Sequence, residues 1–191
     1  IEEHVKGLVT NKILNTDGYP KVQDKTSKDG ITWYKEDSYQ RFNPKISALL
    51  STATKSITGK NPGTPDFIVD TSEFYIVIET KGIEKHNNHK HSRFTDVREY
   101  LQPNATRNDQ VYDTKSIKNR ECAIDEALFY ASFLNEDKHV IAIAASGSEK
   151  DIDFRFTSFL LPKGENLSKL FLLEDGGLNN TFNTIENYKR E

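Results

Sequence analysis

The stretch Pro65-Asp66-Phe67-Ile68-Val69-Asp70-Thr71-Ser72-Glu73-Phe74-Tyr75-Ile76-Val77-Ile78-Glu79-Thr80-Lys81 carries two short apolar runs on either side of a polar break. Both runs, Phe67 to Val69 and Phe74 to Ile78, are rich in the β-branched and aromatic residues that pack well on a pleated surface, and together they predict a β-hairpin. An antiparallel hairpin that turns within Asp70 to Glu73 sets Asp66 opposite a residue between Val77 and Glu79. Asp66 and Glu79 then meet at the same end. Side chains alternate along a strand, so Glu79 and Lys81 project to one face and Thr80 to the other. Two carboxylates and one ammonium converge. Carboxylate oxygens are the ligands Mg²⁺ prefers, with water or phosphate oxygens completing its shell. A lysine beside such a water or a scissile phosphate can stabilise developing negative charge, or orient and deprotonate the attacking water.

A chain of 191 residues suits one domain of ordinary size, with room for a continuous core. Charged residues at 29% against 35% hydrophobic ones describe a polar but foldable protein. The net charge of −3 carries no global signature of nucleic-acid binding. Charge is uneven, however: Lys81 to Arg120 holds nine Lys/Arg against five Asp/Glu, a local +4 that leaves −7 for the rest. A basic segment therefore follows the acidic motif directly. The single cysteine, Cys122, rules out an intramolecular disulfide and a four-cysteine zinc site, and fits a reducing cytosol, so a cytoplasmic location is expected. No apolar run approaches membrane-spanning length and no signal peptide is visible, so no membrane partner is expected. The absence of methionine, together with a start inside a helical pattern, suggests a piece of a longer protein.

Ahead of the hairpin, Ile1, Val5, Leu8, Val9 and Ile13 fall at helical spacing, closed by Asn15 to Gly18. Ile31 to Tyr34 reads as a short strand, in which Trp33 and Tyr34 suit a packing contact better than a base stack. Asn43-Pro44 is a helix start, cap followed by proline, and the stripe Ile46, Leu49, Leu50, Ala53, Ile57 extends that helix to Gly59. Lys55 lies on the approach to the hairpin, as do Lys60 and Thr64, and is a candidate phosphate contact. After Lys81 a long polar passage runs to about Glu121; such a length is usually functional or mobile. It brings Lys85, Lys90 and Arg93 next to the acidic end of the hairpin as candidate DNA-binding residues. His86, His89 and His91 lack the fourth ligand that a structural zinc site needs and read as surface histidines.

Ala123, Ala127, Tyr130, Ala131 and Leu134 form one stripe of a helix over about Glu121 to Asn135, with Glu126 and Tyr130 neighbours on one side. His139 to Ala145 is an almost continuous apolar run, as in a strand buried on both faces. Ile152, Phe154 and Phe156 then alternate with polar residues, as in a half-exposed strand near a sheet edge. Beyond Pro162 the chain turns polar and reads as a connection towards a further domain.

Pro65-Asp66 at the start of one strand, Glu79-Thr80-Lys81 at the end of the next, and the helix and apolar strand downstream together resemble the PD-(D/E)XK nuclease signature. The resemblance covers about residues 41–160. It implies an α/β fold with a mixed central β-sheet flanked by helices, a nuclease domain over 1–161 and a polar extension or linker over 162–191. It also implies that Asp66 and Glu79 hold Mg²⁺, with Mn²⁺ able to substitute, that the Thr80 backbone carbonyl adds a ligand, and that Lys81 assists hydrolysis of a DNA phosphodiester. A glutamate on an early helix serves as a further ligand in some members, which makes Glu2 a candidate. In restriction and recombination nucleases a Gln or Glu followed four residues later by Tyr lies near the active site, so Glu126 and Tyr130 carry over as supporting residues. The alanine-rich helix and the Val-Ile-Ala-Ile-Ala-Ala-Ser-Gly strand are similar to the N-terminal nuclease domains of large restriction enzymes, type I R-subunit-like or fused restriction-modification types. In those, the partners are DNA and a translocase or methyltransferase in the same polypeptide. One such centre cuts one strand, so a double-strand break calls for dimerisation or a second event. The rival expectations are a non-catalytic DNA-binding or assembly domain of the same fold, and a repair or recombination nuclease.

Overall fold

Strands β2 (Phe67–Asp70) and β3 (Phe74–Gly82) form the expected hairpin, with Phe67 opposite Ile78 and Asp70 opposite Tyr75. Thr71 fixes the turn. Its hydroxyl donates to the Phe74 carbonyl at 2.7 Å and accepts from the Phe74 N–H at 3.0 Å, which sets the register without a glycine. The structure, a computed structural model, describes residues 1–14, 31–53, 62–86, 122–150, 153–165 and 169–177.

Around the hairpin a six-stranded mixed sheet is laid down in the order of the chain. Strand β1 (Thr32–Lys35) adds antiparallel to β2, with Trp33 opposite Val69. Strand β4 (His139–Gly147) lies parallel to β3, and a parallel neighbour requires a crossover. The described helix of that crossover packs on the sheet. Two further antiparallel strands, β5 (Arg155–Leu161) and β6 (Phe171–Gly177), complete the order.

Among the described residues four α-helices flank this sheet: α1 (Glu2–Val9), which runs on as a π-turn over Thr10–Leu14, α2 (Ser38–Phe42), α3 (Pro44–Leu50) and α4 (Ala123–Leu134). The period-2 alternation of β3 feeds two cores. Tyr75 and Val77 pack with α3 and α4 on one face, while Phe74, Ile76 and Ile78 pack with Val5, Leu8 and Val9 of α1 on the other. Each fully buried aliphatic side chain contributes about 1.5–3 kcal/mol, so β3 and β4 are the thermodynamic spine. Gly147, at the end of β4, lets α1 lie close: a Cβ there would meet Val5 Cγ2 at 3.3 Å.

The α/β class and the mixed sheet between helices agree with the sequence, and three expectations change. The helix opening at Asn43 is capped as expected, Asn43 Oδ1 accepting from the Ile46 N–H at 3.1 Å, but it ends at Leu50 rather than Gly59. Strand β5 is interior rather than near an edge, because β6 covers its outer side. The sheet therefore runs past the domain boundary expected at 161, since the apolar Phe171-Leu172-Leu173 supplies a sixth strand from a segment whose polarity hid it. Trp33 and Tyr34 are buried, Trp33 against Phe67, as packing residues. Among the described residues no helix is long and apolar enough to cross a membrane.

Candidate functional site

The register Phe67 opposite Ile78 brings Asp66 and Glu79 directly opposite each other, at the end of β3 that also carries Lys81. In open α/β sheets the carboxyl ends of parallel strands are where ligands bind, and β3 and β4 both end here. The Asp66 backbone N–H donates to Glu79 Oε1 at 3.3 Å. Asp66 Oδ2 accepts from the Thr80 N–H at 2.8 Å and from the Thr80 hydroxyl at 2.6 Å. Where β2 ends, the aspartate carboxylate thus replaces the next backbone acceptor of the ladder. The N–H and C=O of a strand residue point to the same edge, so the Thr80 carbonyl is also turned towards the Asp66 side. Asp66 is 8% exposed and Glu79 2%, and the small Ala144 of β4 is the residue opposite Glu79.

Lys81 is held by α4. Its Nζ lies 3.2 Å from Glu126 Oε2, in the first turn of that helix. Burial pulls the Lys81 ammonium down, but Glu126, Glu79 and Glu2 outweigh it and raise its pKa above the ordinary lysine value. It is an ammonium at neutral pH. Lys81 and Glu126 open onto a cleft of about 370 Å³ whose walls also include Glu2, Glu84 and Lys85. Asp66, Glu79 and Thr80 do not line that cleft and lie buried beside it.

Of the residues expected from sequence, the structure thus brings Asp66, Glu79, Thr80, Lys81 and Glu126 to one end of the sheet, with Glu2 and Lys85 on the cleft. Tyr130 is fully buried one helical turn beyond Glu126. Burial, then Glu79 and Glu126, hold its phenol above the ordinary range, so it stays a neutral hydroxyl. Lys55, Lys90 and Arg93 lie outside the described residues, as do His89 and His91.

Four contributors escaped the sequence reading. Lys6 of α1 is buried and places its Nζ 3.0 Å from Asp66 Oδ1 and 3.1 Å from Glu36 Oε1. Its burial is outweighed by Asp66 and Glu36, which raise its pKa. Lys6 and Glu2 are one helical turn apart, the only local signal; nothing in the sequence near Glu36 points to the site. Asp125 is buried next to Glu126, with no hydrogen-bond partner for Oδ2 among the described residues, and burial, then Glu126, pushes its carboxyl up to about 8. His86 corrects the expectation of surface histidines: it is buried, with Nδ1 2.6 Å from Ser146 Oγ and Nε2 2.8 Å from Thr157 Oγ1. Its carbonyl accepts the Ile124 N–H at 3.1 Å, tying the turn after Lys81 to the head of α4.

The donors at this end are carboxylates and a carbonyl, hard oxygens of the kind Mg²⁺ takes. Among the described residues no group of three or more His, Cys, Asp and Glu forms a cage. The set fits an ion that keeps most of its water or phosphate ligands, as Mg²⁺ does. No family model, curated protein or solved structure matches the chain.

Proposed function

We propose that this chain is a metal-dependent nuclease domain that hydrolyses DNA phosphodiester bonds, within a multidomain restriction enzyme. One observation carries the reading. Buried Asp66 and Glu79 meet at the carboxyl end of β3, where the Asp66 N–H donates to Glu79 Oε1, and two residues along the strand is a lysine kept charged by Glu126. Burying charge is costly, and such groupings are concentrated where chemistry is done.

Asp66 and Glu79, with the Thr80 carbonyl, would hold Mg²⁺, or Mn²⁺ in its place. The chemistry such an ion would supply there is polarisation of the phosphate and a lowered pKa for a coordinated water. Thr80 keeps the Asp66 carboxylate oriented through its N–H and hydroxyl. Lys81 acts as a cation, neutralising the charge that develops on the phosphate, because an ammonium with a raised pKa is a poor proton acceptor at neutral pH. Glu126 positions that ammonium, and Lys85 offers a phosphate contact on the cleft wall. Among the described residues nothing in this arrangement reads base edges, and the domain should bind DNA with little sequence preference.

The test is nicking and linearisation of supercoiled plasmid with Mg²⁺ or Mn²⁺, comparing the wild type with Asp66→Ala and Lys81→Ala. Loss of cleavage in both variants is the expected result. Cleavage that survives both substitutions sinks the mechanism. If the isolated chain is silent, the same comparison moves to the parent protein, and a parent that never cuts leaves the DNA-binding domain reading in front.

A further inference from the structure

Lys6 is unused by the chemistry above, yet its ammonium sits at the centre of the acidic end. Glu36 Oε1 lies 3.1 Å from its Nζ, Glu3 Oε1 3.5 Å and Glu2 Oε1 3.9 Å, besides Asp66 Oδ1 at 3.0 Å. The four carboxylates differ in kind. The Asp66 side chain is 11% exposed, whereas those of Glu36, Glu2 and Glu3 are 50%, 46% and 77% exposed. An exposed carboxylate is solvated without help, so the ammonium matters most to Asp66.

Asp66 also has only one oxygen in play. Oδ2 is committed to the Thr80 N–H and hydroxyl, which leaves Oδ1 to meet a cation, and Lys6 is at that oxygen. The helix that carries Lys6 cannot easily withdraw. Val5 and Val9 are fully buried, and Val5 is packed against the end of β4 at Gly147. The flexible lysine stem is the part able to move. An ammonium that leaves Oδ1 is not stranded, because Glu36 and Glu3 already lie within ion-pair distance.

We propose that Lys6 is a tethered cation occupying the Asp66 side of the metal locus, and that a divalent ion binds by exchange with its ammonium, which passes to Glu36, Glu3 and Glu2. This rests on the nuclease reading and adds to it a built-in competitor that sets the metal affinity. Removing the competing charge while keeping an apolar stem, in Lys6→Met, should tighten binding by about tenfold or more, the scale of one unit charge at contact distance discounted for desolvation.

The experiment is a calorimetric titration with Mn²⁺ of the wild type, Lys6→Met and Asp66→Asn, with no DNA present. The expected result is binding about tenfold or more tighter in Lys6→Met than in the wild type, and binding lost in Asp66→Asn. Equal or weaker binding in Lys6→Met, with wild-type binding still dependent on Asp66, overturns the role of Lys6 and leaves the metal site standing. No Mn²⁺ binding in any of the three overturns the metal site, and the exchange with it. Should Lys6→Met fail to fold, the wild type supplies the answer through the ¹⁵N resonance of its buried lysine ammonium. That signal should shift on adding Mg²⁺ in the wild type and stay fixed in Asp66→Asn. A signal that does not move while Mg²⁺ binds overturns the exchange.

Discussion

Replacing His86 by glutamine should flatten the acid limb of this protein's stability curve, and the size of the effect follows from the surroundings of the ring. His86 is 2% exposed, its nitrogens face the Ser146 and Thr157 hydroxyls, and Arg155 adds a positive charge nearby. Burial, reinforced by Arg155, drives the imidazole from its ordinary 6.5 down to about 3. In the unfolded chain the ring takes up a proton below about 6.5 that the folded protein refuses until about pH 3. The stabilising share of a neutral His86 is therefore complete above about pH 6.5 and is lost progressively as the pH falls towards 3. At about pH 4.5 the deficit spans roughly two pH units, or about 2–3 kcal/mol at 1.36 kcal/mol per unit. Glutamine does not titrate and keeps a donor and an acceptor, so the variant should be less stable at neutral pH, by about 1–2 kcal/mol for imperfect hydrogen bonds, and should lose less on acidification. Urea unfolding of both proteins at several pH values between about 7.5 and 4.5 measures the two slopes, and the difference between them cancels the contribution of the other titrating groups. Parallel curves would refute the reasoning, because they would mean that the ring is protonated equally in the folded and unfolded states.

Asp125 predicts the opposite trend. Its folded pKa is raised from 3.8 to about 8, so the folded state holds a proton that the unfolded state releases, and the penalty grows as the pH rises above 3.8 and is complete above about 8. Asp125→Asn should stabilise the protein by roughly 1–3 kcal/mol near pH 8 and bring no gain near pH 3.5, as read from thermal or urea unfolding at both values. Glu126→Gln removes the largest of the carboxylate influences that keep Lys81 charged and replaces its ion pair with a weaker, neutral contact. On the nuclease reading, plasmid nicking by Glu126→Gln should drop by about tenfold, less than in Lys81→Ala, with the remaining activity falling away at lower pH than in the wild type. Wild-type rates in Glu126→Gln would separate Glu126 from the site.

How far the sequence carried depended on the range of each interaction. The hairpin, its register and the meeting of Asp66 with Glu79 were legible because a strand's period and a turn's length are local properties, and Thr71 closes that turn within four residues. The capping of α3 by Asn43, the extent of α4 and the doubly buried β4 were legible for the same reason. The sixth strand was not: Phe171 to Leu173 is a short apolar run whose meaning depends on an open edge at β5. Nor did the histidine spacing reveal that His86 would be drawn between Ser146 and Thr157, residues 60 and 71 positions away, to satisfy buried hydroxyls. The contact of Lys6 with Asp66 likewise exists only because Gly147 and the apolar face of α1 seat that helix on the carboxyl end of β4. The sequence alone therefore determined the hairpin that carries Asp66, Glu79 and Lys81 into proximity. Tertiary packing decided which charges answer them, because the partners of a buried charge are chosen by the layers that exclude water around it.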